Sequence, residues 1–468
     1  MNPSNLPAPA PAVARRPAAG ARGALRAKAP PNPRWDLLLV FVSGMLLTYV
    51  WRLHYLLPGP LMRLRPTVIV SLGALILYVI DADPRRRLIR LNHPVTRLVL
   101  GLLAVIVLSI PGSMWPGGSF AFVTRDLSKT VLYAFLLAAS VRALVDVERL
   151  AAVLVLGGVI YSLRVITTPG TRGLGGYDPN DYSFVMVCAL PLAVYFVARS
   201  RTALFRILAT AGLLVILAGI VKGGSRSGFL GLLAVGAFLL VAYRALPLKW
   251  RLGAVAVCVA GLLFVASDKY WERMGSLLHP QEDYNWSGQS YAGRMEIWKR
   301  GIGYMKQRPL FGVGVGRFGM AEGRLSNMAR NYEPGRGFKW SSPHNSFVEI
   351  GAELGIPGLI VFLALLLQCF RAMGRAGRGP PGRRRPSGAM PAMAQAMIAV
   401  LIGYVVVGFF LSHAHTAVFY TILALVIAMA KVSGQTGGKR LRAAARGAVA
   451  RRPRPSIPLQ PHHPGPTS

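Results

Sequence analysis

The sequence predicts an all-α polytopic membrane protein of about twelve transmembrane helices with one long polar loop. Three observations predict it. Hydrophobic residues make up 53% of the 468 positions, too many for a soluble chain of this length. They fall in long blocks rather than in a stripe of helical period. The cations fall in the links between alternate blocks. Blocks of about 17–25 apolar residues read as membrane helices, because backbone polar groups in lipid must be satisfied within a helix or a closed barrel.

In chain order, residues 1–34 are rich in Ala, Pro and Arg without an apolar centre, and read as a disordered basic tail rather than a cleavable signal. Nine blocks occupy 35–267, centred on Val42, Leu75, Val105, Leu136, Leu156, Val187, Leu214, Ala234 and Val257. A polar loop fills 268–345. Three further blocks occupy 346–431, centred on Val361, Val400 and Leu423, and 432–468 is a second disordered basic tail.

The formal charge of +37 resembles a nucleic-acid signature until it is sorted by position. Both tails, the Arg85–Arg87 link, the Arg383–Arg385 link and the turns at Arg142/Arg149, Arg199/Arg201/Arg206 and Arg244/Lys249/Arg251 all fall on one side. Arg52, Arg63 and Arg65 are a local exception. That is the positive-inside pattern, which puts both termini in the cytoplasm and makes the charge a matter of topology and anionic lipid, with no nucleic-acid partner. Cys188, Cys258 and Cys369 stand apart in or beside apolar blocks, so no disulfide framework or thiolate metal site is expected.

The unusual polar chemistry then gathers on the outer face. Arg226 follows a Gly-rich turn and opens a helix, where unpaired N–H groups and a guanidinium fork favour an anion; a snorkelling arginine is the plain alternative. Arg294 stands in the first turn of a helix that places Ile297, Gly301 and Tyr304 on one face, with Trp298 near headgroup depth. It opposes the helix dipole, which suggests a partner, though Glu296 or solvent also suffices. The run Gly314 to Gly319 matches G-x-G-x-x-G, yet follows no buried strand, so a flexible turn carrying Arg317 near the site is the better account. Asp178 or Asn180 can cap the sixth helix, or contact a polar substrate or an arginine. His413 and His415, two apart with no supporting ligands, make a poor metal site. His344 sits at the end of the loop, between Pro343 and Asn345, as a helix begins. An imidazole there can take a proton from a hydroxyl, with Asn345 orienting the ring or the substrate.

These residues carry a resemblance. Pro-His-Asn-Ser-Phe-Val-Glu-Ile-Gly-Ala-Glu-Leu-Gly-Ile-Pro-Gly (343–358), Gly-Arg-Met-Glu-Ile-Trp (293–298), Pro-Leu-Phe-Gly-Val-Gly-Val-Gly (309–316), Gly-Gly-Ser-Arg-Ser-Gly (223–228) and Asp-Pro-Asn-Asp (178–181) resemble the O-antigen ligase and polysaccharide polymerase superfamily. The resemblance implies a GT-C-like, metal-independent, inverting glycosyltransferase without cofactors in the bacterial inner membrane. Its donor would be an undecaprenyl-diphosphate-linked glycan at the periplasmic face, and its acceptor a glycan or lipid A core hydroxyl. By this resemblance His344 activates the acceptor while Arg226 and Arg294 hold the diphosphate; Asn345, Arg317, Asp178 and Asn180 are substrate-binding candidates. Membrane lipids and a chain-length regulator are the further partners. A lipid-linked-glycan flippase and a protein O-oligosaccharyltransferase are the alternatives. A flippase would want ionisable residues at mid-depth, where the blocks here hold Leu, Val, Ala and Gly.

Overall fold

A computed structural model describes residues 32–168, 176–283, 285–288, 290–326, 341–378 and 388–450, without the side chains of 264, 265 and 435–450. The expected tail over 1–31, the tail from 451 onward, the Arg383–Arg385 link and loop residues 327–340 lie outside these. The described residues are helical throughout, without strands. In order the helices are α1 (Leu37–Tyr49), α2 (Gly59–Arg63), α3 (Pro66–Ile80), α4 (Pro94–Ser109), α5 (Pro116–Phe122), α6 (Ser128–Ser140), α7 (Leu144–Thr167), α8 (Pro179–Arg199) and α9 (Ala203–Gly223). They continue with α10 (Arg226–Ala242), α11 (Leu248–Val265), α12 (Asp268–Gly275), α13 (Arg294–Gln307) and α14 (Phe318–Leu325). The last are α15 (Ser346–Gly377), α16 (Ala389–Gly408) and α17 (Ala417–Ala450).

Each of the twelve apolar centres lies in one of these helices. Among the described residues, six helices are long and apolar enough to cross a membrane by themselves: α7, α8, α9, α15, α16 and residues Ala417–Gly434 of α17. The bent pair α11–α12 would make a seventh, and α1, α3, α4 and α10 are apolar but shorter. The final helix continues well past residue 432, where the sequence reading begins a disordered tail.

Burial grades outward from a centre made by α17 and α8, whose apolar windows are 83% and 72% buried, to α9 at 17%. On the periphery, α9 exposes Leu204, Ile207 and Leu208, and α11 exposes Leu252, Val257 and Leu263. A helix apolar on its outer face as well as its inner one suits a lipid surround. At one end of the bundle the links are more than basic. Arg86 and Arg142, 4% and 8% exposed, converge on Asp36 at 2.6 and 2.7 Å, Arg86 also pairs with Asp81, and Arg142 with Asp146 at 2.8 Å. Lys431 donates to the Ala138 and Ala139 carbonyls at the end of α6.

The break in α15 positions the polar half of the protein. Gly355 has φ +69° and ψ −166°, and Pro357 follows inside the helix. A proline lacks the N–H that would bond to the carbonyl four residues back, and a break frees further backbone groups that must find partners. Here the segment Pro309–Gly316 supplies them. Val313 N donates to Ala352 O at 2.8 Å, Gly314 N donates to Glu353 O at 3.0 Å, and Ile356 N donates to Pro309 O at 2.7 Å. The Glu353 carboxylate then accepts from Gly316 N at 2.7 Å and Phe318 N at 3.1 Å. Gly314 and Gly316 both hold positive φ, and a Cβ there would meet Ser113 and the Phe122 ring, so these two glycines of G-x-G-x-x-G serve close packing against α5 and the link before it.

Two glycines in this region should respond oppositely to alanine. At Gly312 (φ +62°) a Cβ would lie 2.4 Å from the Glu353 carbonyl carbon, whereas at Gly303 in α13 it meets nothing within 4 Å. Gly312→Ala should lose about 2 kcal/mol or more of stability, and Gly303→Ala should gain about 0.5–1 kcal/mol from helix propensity. Thermal unfolding in detergent checks both; equal melting temperatures for the two variants would reject the pairing as a tight fit.

Candidate functional site

A cavity of about 1010 Å³ opens where α8, α10, α12 and α13 meet. Its walls include Lys222, Arg226, Lys269, Arg273 and Arg294, five cations against one carboxylate, Glu272. Arg226 and Arg294, 68 positions apart in sequence, therefore share one wall. Gly224 ends α9 in the left-handed conformation, and Ser225 caps α10 by accepting from Gly228 N at 3.1 Å, so Arg226 opens the helix at its positive end. The Arg226 guanidinium is held by Asp283 and lies 3.1 Å from the Ser276 hydroxyl. Asp283 in turn accepts from Asn285 N and Nδ2, both at 2.8 Å. Arg273 reaches the Gly224 carbonyl at 3.3 Å. The surplus of positive charge on walls without a matching number of acids suits a dianionic or trianionic ligand.

Arg294 begins α13, whose buried residues are Ile297, Gly301 and Tyr304, the face read from spacing. Glu296 bonds Lys299 at 2.7 Å. The helix lies against α15, and Trp298 donates to the Pro343 carbonyl at 2.8 Å. Arg294 and Trp298 are four residues apart on one face, about 6 Å along the axis. Trp298 thus ties the turn bearing His344 to the helix that Arg294 opens; His344 itself is half-buried and does not line the cavity. It holds φ +46°, a left-handed conformation that is strained for a residue with a Cβ and that persists only where its surroundings impose it. Buried neighbours impose it: Asn345 accepts from Phe347 N and Val348 N at 2.9 and 3.0 Å, and Ser346 Oγ donates to Leu411 O at 2.7 Å.

The remaining candidates divide. Asn180 lines the cavity and accepts from Ser225 Oγ at 2.8 Å. Asp178 caps α8, accepting from Asn180 N and Asp181 N at 2.7 and 2.9 Å, the local role foreseen for it. Asn345 caps α15 through its carbonyl oxygen, so that atom is committed to the helix rather than to a ring or hydroxyl. Arg317 lies over the Trp115 ring at 5.2 Å, beside α5, and is not among the cavity's walls. The Gly-rich turn thus delivers the Arg317 guanidinium to Trp115 at the start of α5.

Lys222, at the end of α9 beside the Gly-rich turn, and Lys269 and Arg273, in the short helix α12, were not singled out from sequence, because none of the three belongs to a motif of its own. His413 and His415 are also more than a weak metal motif. No group of three or more His, Cys, Asp or Glu among the described residues suits a metal ion. Instead each histidine meets a carboxylate: His413 Nε2 lies 3.0 Å from Asp181 Oδ1, and His415 Nε2 lies 3.3 Å from Glu353 Oε2, a charge pair rather than a well-formed hydrogen bond.

Residues 211–363, which include Arg226, Arg294, Arg317 and His344, match the family model for O-antigen ligase. That match covers about a third of the chain, and there the sequence is similar to O-antigen ligases. It is 31% identical over 146 residues to a provisionally named polysaccharide ligase of Rickettsia felis, covering 30% of this chain and 34% of that one. A protein of Rickettsia conorii with the same provisional description is 30% identical over 149 residues, with the same coverage. The chain thus spans about a third of the length of the curated relatives it matches. Together with its apolar helices, this likeness fits a multi-pass membrane protein.

The His415 imidazole is pulled down by burial, but pairing with Glu353 and the charges of Glu349 and Glu353 outweigh this and hold it above its ordinary value of 6.5. A raised folded-state value stabilises the fold fully below about pH 6.5, and that contribution is lost as pH climbs through the raised value. The melting-temperature gap between the parent and His415→Phe should therefore be wider at pH 6 than at pH 9. An equal gap at both would exclude a charged His415.

Proposed function

We propose that the protein is a membrane glycosyltransferase of the O-antigen ligase or polysaccharide polymerase type. It moves a glycan from an undecaprenyl-diphosphate-linked donor to an acceptor hydroxyl of a glycan or of lipid A core. The observation that carries this reading is the cavity that brings Arg226 and Arg294 together with three further cations inside the family-matching segment, with the His344 turn tied through Trp298 to the helix that Arg294 opens. In it the donor diphosphate lies against Arg226 and Arg294 at the start of α10. Helix N–H groups and guanidinium forks take up the charge that grows on the leaving group.

His344 accepts the proton of the acceptor hydroxyl as that oxygen forms a bond to the anomeric carbon. The bond from that carbon to the phosphate oxygen breaks, and lipid diphosphate leaves with the electron pair. Attack opposite the leaving group inverts the anomeric centre. Five cations around the leaving group do the electrostatic work for which many diphosphate reactions use a divalent ion, so we read the transfer as metal-independent. We read the chain as about twelve spans with both tails in the cytoplasm and the cavity on the periplasmic face of a bacterial inner membrane, a reading that the positive-inside distribution supports. Membrane lipids surround the protein, and a chain-length regulator suits a polymerase.

His344→Ala, Arg226→Ala and Arg294→Ala should each lower glycan product by at least about 100-fold while inserting and melting like the parent. Product gels from complemented deletion cells give the readout; wild-type product from His344→Ala and Arg226→Ala together would sink the mechanism. In purified protein, excess EDTA should leave transfer within about twofold, and a loss restored by added Mg²⁺ would overturn metal independence.

A further inference from the structure

The cavity and the His344 turn belong to different helices, and something must fix one relative to the other. We propose that His413 is a positioning residue for this reaction, a buried strut that holds the turn bearing His344 in register with the cation-lined cavity. The inference rests on the reading of that cavity as the phosphate site and of His344 as the base.

His413 is 4% exposed, and its ring stacks on Phe184 with centroids 4.5 Å apart. A carboxylate can only accept, so Nε2 donates to Asp181 Oδ1, 3.0 Å away. Nδ1 lies 3.2 Å from Thr416 Oγ1. The His413 backbone N–H donates to Ser346 Oγ at 3.0 Å, two residues beyond His344. On the other side, Asp181 belongs to the first turn of α8, where its carboxylate accepts from Asp178 N at 3.2 Å. The adjacent Asn180 lines the cavity and holds Ser225, the residue before Arg226.

A continuous path therefore runs from Arg226 through Ser225, Asn180, Asp181, His413, Ser346 and Asn345 to His344. Every link in it is a chain neighbour or a hydrogen bond of 3.0 Å or less. Both ring nitrogens of His413 face protein partners and the residue does not line the cavity, which leaves the imidazole no atom for substrate. Its work is geometric. Displacement of a catalytic group by about 1 Å can cost about 100-fold in rate, so loss of the strut should cost product without costing affinity for the phosphate end of the donor.

Two isosteric variants separate this from a merely structural role. Gln presents a donor near the position of Nε2 and keeps the bond to Asp181; Asn reaches only as far as Nδ1 and loses it. Full-length protein in detergent is titrated with geranylgeranyl diphosphate as the probe for the cavity, and glycan product is measured in complemented cells. His413→Gln should keep at least half of the product. His413→Asn should lose at least tenfold, with its probe Kd within threefold of the parent. Asp181→Ala should match His413→Asn, and the double variant should be no worse than either alone.

The proposal is overturned if His413→Asn keeps more than half of the product, if Gln falls as low as Asn, if the double variant is multiplicatively worse, or if His413→Asn weakens the probe beyond threefold. Failure of the phosphate-site reading shows separately, as unchanged probe affinity in Arg226→Ala.

Discussion

The polar half of this protein hangs on the repair of a broken helix. Gly355 and Pro357 interrupt α15, and buried backbone groups left open at such a break are costly, on the order of 1–3 kcal/mol each. The segment Pro309–Gly316 fills them with three backbone hydrogen bonds, and the Glu353 carboxylate accepts two more, from Gly316 N and from Phe318 N just beyond. These reciprocal bonds dock the chain between α13 and α14 onto α15. With it come α13, Arg294 and Trp298, and Trp298 fixes Pro343 beside His344. A carboxylate buried to 4% exposure tolerates this position because N–H groups and His415 surround it.

Much of this was legible in the sequence. The twelve apolar centres all fall in helices, and the Ile297–Gly301–Tyr304 face is buried as its spacing implies. Period and composition report which face of a helix is apolar, and these were local questions. Which segments meet was not local. Nothing in Pro-Leu-Phe-Gly-Val-Gly-Val-Gly says that its carbonyls and amides pair with Ala-Glu-Leu-Gly-Ile-Pro some 40 residues on, although both stretches stood out. Arg317 illustrates the same limit: its Gly-rich setting signalled a turn near a site, but the aromatic partner Trp115 lies about 200 positions earlier and decides where the side chain rests.

Charge shows the converse. Sorting cations by link gave an orientation, yet it treated every arginine in a link as equivalent. Arg86 and Arg142 are buried against Asp36, Asp81 and Asp146, and serve as ties between α1, α7 and the link before α4. In the cavity, too, Arg226 differs from a snorkelling arginine by its carboxylate: Asp283 holds the guanidinium in place, which lowers the entropy lost when an anion binds. An acid near a phosphate site weakens attraction at long range and improves aim at short range. Counting charges from sequence registers the first effect alone.

The most enclosed apolar span, Ala417–Gly434, is also the last of those described. It packs against α6, α15, α16, α7 and α4, with Tyr133 bonded to Thr421 at 2.8 Å and Lys431 closing the end of α6. Ribosomes deliver helices to a membrane in sequence order, so every earlier span must wait beside an unfilled axis until this one arrives. Assembly therefore waits on this span, and the bundle gains its centre only after the spans before it are already in the membrane.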